Sequence, residues 1–306
     1  MFDLYLKTTL NGRKNMKYGI YAPYWTHEWA TENEHYIPKV KKLGFDVLEI
    51  SCVNLIQKYK TDDEILALKE CAKKHGVTLT SGYGPTKEQN ICSADEGTVE
   101  RAMAFFQDLI PKLGLLGVKI LGGGLYSYWP LDPTLPMDPP GETERAINNL
   151  KILAETAEKY DVTLGLEVLN RYEGYMLNTC EQAKEFIDKV GSSHVKIMLD
   201  TFHMSIEEDN MGAAIRLAGE DLCHLHLGEQ NRRVPGKGWL PWEEIGQALR
   251  DINYQGAAVM EPFVMKGGTI GQEIKVWRDL VADATEEKLD ADAEGAVRFV
   301  RHVFGL

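Results

Sequence analysis

Eight short apolar runs, spaced at about the length of one strand, loop and helix, constrain the fold of this chain more than any other feature. They lie at Lys17–Ala22, Val47–Cys52, Val77–Ser81, Val118–Leu121, Thr163–Leu169, Val195–Asp200, Leu222–Leu227 and Ala257–Phe263. Between them run polar segments with apolar residues at helical spacing: Ile37–Leu43, Asp62–His75, Thr98–Leu113, Glu142–Tyr160, Thr179–Val190, Met211–Ala218 and Trp242–Ile252, with Leu289–Val303 after the last run. Period-two runs read as strands and period-3.6 segments as helices. Eight such alternations predict a (β/α)8 TIM barrel, with an open doubly wound sheet as the alternative topology. No GxGxxG or Walker-type loop marks a nucleotide site.

The chain has 306 residues, and barrels of about 250 residues or more commonly form one unit. Because Met16 opens the first strand, residues 16–306 read as a single TIM-barrel catalytic domain and residues 1–15 as an N-terminal extension or an upstream start. A composition of 44% hydrophobic and 26% charged residues is that of a globular chain with material for a large core. The excess of 46 acidic over 34 basic residues, a net charge of −12, opposes the counterion release on which nucleic-acid binding depends. The partner is therefore expected to be a small molecule. Five cysteines without a CxxC pair point to a reducing compartment, and Cys52 and Cys223 read as buried free thiols. The first fifteen residues, with Asp3, Lys7, Arg13 and Lys14, lack a signal-peptide core, and no apolar run approaches the ~20 residues of a membrane span. A cytoplasmic location is expected.

The last four runs carry ligand chemistry at their C-terminal ends. Glu167, Asp200, His226 and Glu261 are 33, 26 and 35 residues apart, so each occupies the same relative place on consecutive strands. Strand alternation puts Glu167 on one face with Thr163 and Gly165, and Asp200 with Met198, leaving Leu164, Leu166, Ile197 and Leu199 for the helices. Taken singly, an acid at a strand end is more often a helix cap or a loop ion pair. Four in matched register read as a metal site. Three carboxylates and one imidazole make a hard, oxygen-rich shell for one divalent metal, suited to Mn2+, Co2+ or Mg2+ better than are the sulfur-containing or histidine-rich sites typical of zinc. His224, on the same face as His226, reads as a structural histidine, and His27, His35, His75, His194 and His302 as surface or helix residues.

The segments GIYAPYW with Trp29 following, GGGLYSYWP, LEVLNRYE, VKIMLDTFHMSIEED, HLHLGEQNRRVPGKG, and VMEPF with GGTIG and IKVWRD, in this order, closely resemble the ketose 3-epimerases, the D-allulose (D-psicose) and D-tagatose 3-epimerase family. The resemblance runs from Met16 to the C-terminus. It implies a (β/α)8 barrel with one divalent metal on the residues matching Glu167, Asp200, His226 and Glu261, and substrate contacts from Glu173, His203 and Arg232. The sequence departs from the family pattern at Leu227, where threonine is common, at Ala22 and Pro23, and in the fifteen-residue arm. Those departures bear on the preferred sugar.

A metal so placed could hold the C2 carbonyl and C3 hydroxyl oxygens of a ketose and would supply Lewis acidity toward the cis-enediolate expected when the C3 proton leaves. Glu167 and Glu261, on the fifth and eighth strands, are expected across the barrel from each other, one taking the proton and the other returning it to the opposite face. Glu173, His203 and Arg232 would hold O1 and O2, while Tyr21, Trp29 and Trp129 offer aromatic faces to the sugar. Competing readings are another metal-dependent sugar isomerase or dehydratase on the same barrel, a metallophosphodiesterase, which the negative charge disfavours, and a non-catalytic sugar-binding protein. Arg233 reads as a structural loop charge, Gly122, Gly123 and Gly124 as a tight bend beside the substrate, and the stretch from Asp283 to Glu294 as a solvated helix face with its lead-in. Trp25, Trp239, Trp242 and Trp277 read as packing or interface residues. Exposed apolar surface around the last three, with the family pattern, suggests a homodimer or homotetramer.

Overall fold

The computed structural model describes residues 16–305. Eight strands, β1 (Lys17–Tyr21), β2 (Val47–Ser51), β3 (Thr78–Gly82), β4 (Ile120–Gly123), β5 (Thr163–Glu167), β6 (Val195–Asp200), β7 (Leu222–Leu227) and β8 (Ala257–Met260), form a closed barrel in sequence order. All pairs are parallel, and β8 returns to β1 with Gly19 opposite Val259. The intervening helices are α1 (Asn33–Lys42), α2 (Cys52–Gln57), α3 (Asp62–His75), α4 (Glu96–Leu116), α5 (Pro139–Lys159), α6 (Cys180–Val190), α7 (Thr201–Glu207), α8 (Met211–Ala218), α9 (Trp242–Asp251), α10 (Gly268–Glu273) and α11 (Glu286–Phe304). The closed single-domain barrel bears out the alternation in the sequence. Residues 1–15, read there as an arm, lie outside the described residues.

Local chemistry sets the ends of these elements. Thr61 and Glu64 form a reciprocal capping box at the start of α3, as do Thr179 and Gln182 at α6, and Gly76 and Gly191 end the same helices in the left-handed region. The α4 and α5 helices begin earlier than apolar periodicity predicts, because Asp95 and Asp138 cap polar first turns that carry no apolar signal. Strand β8 stops at Met260 rather than Phe263, since Pro262 has no N–H for the ladder. Three short helices, α2, α7 and α10, went unforeseen. α2 and α7 follow directly on β2 and β6, and α10 follows β8 after a seven-residue loop, all on the C-terminal side of their strands, where loops carry function.

The two faces of the strands pack differently. Outward residues such as Ile20, Leu48, Ile50, Leu164, Leu199 and Leu225 are fully buried against the helices. Inward residues close the barrel below its mouth. A Cβ on Gly19 would lie 2.8 Å from Val47 and 2.9 Å from Val259, so glycine there lets those side chains fill the axis. At Gly123, whose φ is 130°, the Tyr83 carbonyl occupies the space a side chain would need.

Three surface expectations are corrected. Trp242 is buried and donates from Nε1 to Glu229 at 2.7 Å, leaving Trp239 and Trp277 as the exposed tryptophans. Within the acidic stretch Asp292 is buried and pairs with Lys288 at 2.6 Å, because it lies on the α11 face that also carries Leu289 and Ala293. Cys223 is only half-buried, its Sγ lying 3.3 Å from the Ile197 carbonyl. Burial pushes the thiols of Cys52, Cys180 and Cys223 up to about 12 and that of Cys92 up to about 11, whereas Cys71 is half-exposed on α3. Ellman's reagent at pH 8 is therefore expected to label Cys71 alone in the native protein. Peptide mass spectrometry identifies the labelled site, and a second cysteine reacting at a similar rate would contradict this placement.

Candidate active site and metal centre

The four strand-end residues converge. Glu167 is the last residue of β5, Asp200 the last of β6, His226 the penultimate residue of β7, and Glu261 the first residue after β8. One ligand atom from each lies within 4.8 Å of all the others. His226 Nδ1 is 3.3 Å from Glu261, 3.7 Å from Asp200 and 3.8 Å from Glu167. Glu167 and Glu261 stand three strands apart on the ring rather than diametrically opposite, yet their carboxylates face the same point.

Electrostatics shows what this cluster needs. Burial, reinforced by the charge of Glu261, pushes Glu167 well above the usual carboxylate range. Burial also raises Asp200. Burial disfavours the His226 imidazolium, but the charges of Glu261 and Glu49 outweigh it and raise its basicity. Asp200 caps α7, its Oδ1 accepting from the backbone N–H of Phe202 at 2.5 Å and of His203 at 3.3 Å, while its Oδ2 is buried without a partner. His226 Nδ1 is likewise buried without a hydrogen-bond partner. Buried polar atoms are nearly always satisfied. Two that are not, aimed with two further carboxylates at one point, fit a divalent cation.

The remaining expected site residues surround that point. A cavity of about 910 Å³, including the space open to solvent, is lined by Tyr21, Trp29, Trp129, Glu167, Glu173, His203, His226, Arg232 and Glu261. Asp200 is fully buried beneath it. Arg232 donates to Glu173 at 2.8 Å and to Glu261 at 3.4 Å, and its guanidinium lies 3.7 Å from the Phe202 ring centroid and 5.4 Å from that of Phe263. Its backbone is left-handed at φ 61°, held by the Glu229 carbonyl and by the Phe263 N–H, which donates to the Arg232 carbonyl. Burial would raise Glu173, but the Arg232 charge outweighs it and keeps the carboxyl below its ordinary range. The backbone and side-chain N–H groups of Asn170 both point at His203 Nδ1, at 3.2 and 2.7 Å, which places the ring proton on Nε2, facing Glu167. Burial keeps this imidazole neutral by lowering its basicity.

Trp29 and Trp129 line the cavity and meet edge to face with centroids 5.9 Å apart, their indole N–H groups donating to Glu273 at 2.6 Å and Glu173 at 3.2 Å. Gly122, Gly123 and Gly124 line the cavity as the expected bend. Arg233 stays outside it. Sequence reasoning missed Glu49, Asn170, Phe202 and Phe263. Glu49 alone had a signal, a charge in the middle of the apolar run VLEIS, where only an inward-facing carboxylate with partners is tolerable.

The cluster sits at the C-terminal ends of the strands of a closed parallel barrel, and the family described as xylose isomerase-like TIM barrels matches residues 37–282. The D-psicose 3-epimerase of Enterocloster bolteae is 66% identical over 291 residues, which cover 95% of this chain and 97% of that one. The D-psicose 3-epimerase from Clostridium cellulolyticum H10, solved with D-tagatose, superposes with a TM-score of 0.93 at 50% identity, covering 94% of this chain and 99% of that one. A further D-psicose 3-epimerase, solved in the presence of D-fructose, gives a TM-score of 0.93 at 47% identity and covers 95% and 100% of the two chains. The chain belongs to the xylose isomerase-like TIM barrel family and, within it, to the ketose 3-epimerases, isomerases that act on carbohydrates. No helix among the described residues is long and apolar enough to cross a membrane.

Proposed function

We propose that this chain epimerises free ketohexoses at C3, interconverting D-fructose and D-allulose and also accepting D-tagatose and D-sorbose. The observation that carries this reading is the convergence of Glu167, Asp200, His226 and Glu261, two of their buried polar atoms unpartnered, inside a cavity that also presents Glu173, His203 and Arg232. Those four residues would hold one divalent metal, Mn2+ by preference with Co2+ or Mg2+ as alternatives, and the metal when bound supplies Lewis acidity toward the C2 carbonyl.

The chain's own residues carry the protons. One of Glu167 and Glu261 takes the proton from C3, leaving a planar cis-enediolate; the other, protonated, returns a proton to the opposite face, and the roles exchange for the reverse reaction. Burial, with the charge of Glu261 beside it, raises the Glu167 carboxyl and favours its protonated form. Arg232, Glu173 and the Nε2–H of His203 hold O1 and O2 and keep the intermediate from turning over, and Tyr21, Trp29 and Trp129 pack on the sugar's C–H surface. The exposed Trp239 and Trp277 support a homodimer or homotetramer, which light scattering distinguishes. The barrel domain, residues 16–306, with residues 1–15 as an extension, and a cytoplasmic location complete this reading.

The test is to strip the protein with chelator, add Mn2+, and follow D-fructose in D2O by NMR. Allulose carrying deuterium at C3 is expected. Absence of both product and C3 exchange, with fructose and with tagatose, would overturn the reading in favour of an isomerase or dehydratase on the same barrel.

A further inference from the structure

We infer that Glu49 is a positioning residue that locks His226 in the tautomer able to ligate through Nδ1, by accepting the proton on its far ring nitrogen; this rests on the metal reading above. Glu49 lies mid-strand in β2, opposite Tyr21 on β1 and Thr80 on β3, and faces the barrel axis at 1% exposure. Its Oε1 is 2.5 Å from His226 Nε2, and its Oε2 is 2.7 Å from His224 Nε2 and accepts from the Thr80 hydroxyl at 2.7 Å. Among the described residues, no lysine or arginine pairs with it. A carboxylate buried that deeply without a cation of that kind is tolerated only when N–H and O–H donors surround it.

Both imidazoles must therefore present Nε2–H to Glu49. A neutral imidazole has one N–H, so His226 then carries a lone pair on Nδ1, the atom that faces Glu167, Asp200 and Glu261. His224 and Thr80 each hold the second carboxylate oxygen, which favours the orientation that keeps the first on His226. Glu49, His224 and His226 also make a buried triad of ligand-type residues, which raises the question of a second metal. The spacing answers it. Two ligand atoms sharing a tetrahedral ion at bond lengths of about 2.0–2.1 Å stand about 3.3 Å apart, whereas the separations here are 2.5 and 2.7 Å, those of hydrogen bonds. The triad serves the neighbouring site and holds no ion of its own.

In E49Q the amide either turns its NH2 toward His226, driving the ring proton to Nδ1, or offers a neutral and weaker acceptor. Either way, Mn2+ affinity is expected to fall ten- to a hundredfold, read from the electron paramagnetic resonance signal of free Mn2+. The comparison variant is H224Q, whose amide N–H can still donate to Glu49 Oε2 beside the Thr80 hydroxyl, so the Glu49–His226 contact persists and the loss of Mn2+ affinity should be clearly smaller than in E49Q. Equal affinity in E49Q and wild type, or an equal loss in H224Q, would overturn the inference. If wild type itself binds no Mn2+, it is the metal reading that fails. Should E49Q not fold, 15N-histidine NMR of Mg2+-loaded wild type, with the His226 signal assigned by H226Q, decides the matter: a proton on Nε2 supports the inference and one on Nδ1 overturns it.

Discussion

Glu261→Gln is expected to lower kcat for ketose epimerisation by about a thousandfold or more, the order at which a positioned acid or base contributes, with loss of a metal-ligating charge added to it. The carboxylate has two tasks at once. Its Oε1 faces His226 Nδ1 at 3.3 Å, and its Oε2 accepts from Arg232 at 3.4 Å. An amide keeps the shape but neither binds a hard cation well nor accepts the C3 proton. The fold should survive, because Glu261 sits half-buried at the rim and its removal relieves repulsion with Glu167. Melting temperature without added metal is therefore expected to hold or rise. Steady-state kinetics at saturating Mn2+ measures the loss, and kcat within tenfold of wild type would sink the assignment. The companion E167Q makes the roles separable. Each variant should still exchange the C3 proton of one epimer with D2O from the face its remaining glutamate serves, without inverting it, and the two variants should exchange opposite epimers.

Removing divalent metal by chelation is expected to abolish turnover and to lower the melting temperature by about 4 °C, with both restored by Mn2+. The physical reason is the charge collected at the mouth: three carboxylates within 4.8 Å of the His226 ring nitrogen, two of them pushed upward by burial. A cation held by the folded state alone stabilises it by about 2.7 kcal/mol at a hundredfold excess over Kd. For a chain of 306 residues that corresponds to about 4 °C, at roughly 2.1 cal/mol/K of unfolding entropy per residue. Differential scanning calorimetry and the coupled activity assay check the two halves separately. Full activity in protein shown to be metal-free by mass spectrometry would refute the reading.

The candidate site was legible in the sequence where local geometry decides it. Glu167, Asp200, His226 and Glu261 each end an apolar run, and period-two alternation alone assigns a strand residue to the inner or the outer face. His224 also followed from alternation, but its partner did not. Glu49 lies 175 residues from His224 and 177 from His226, and only barrel closure sets β2 within reach of β7. Nor did any local pattern foretell that Trp242 would turn inward to Glu229, or that Phe202 and Phe263 would stack about Arg232. Those contacts are made by loops and short helices whose course depends on what they pack against.

The sequence by itself determined the alternation of eight strands with helices, the placing of four candidate ligands at the strand ends and, through its ordered motifs, the family. The tertiary structure alone decided which nitrogen of His226 faces the ligand cluster, how Arg232 is clamped, and that a buried glutamate on the second strand supports the seventh. The division has one cause: burial periodicity is encoded every two or four residues, whereas a hydrogen bond between distant strands exists only once the ring has closed and its register is set.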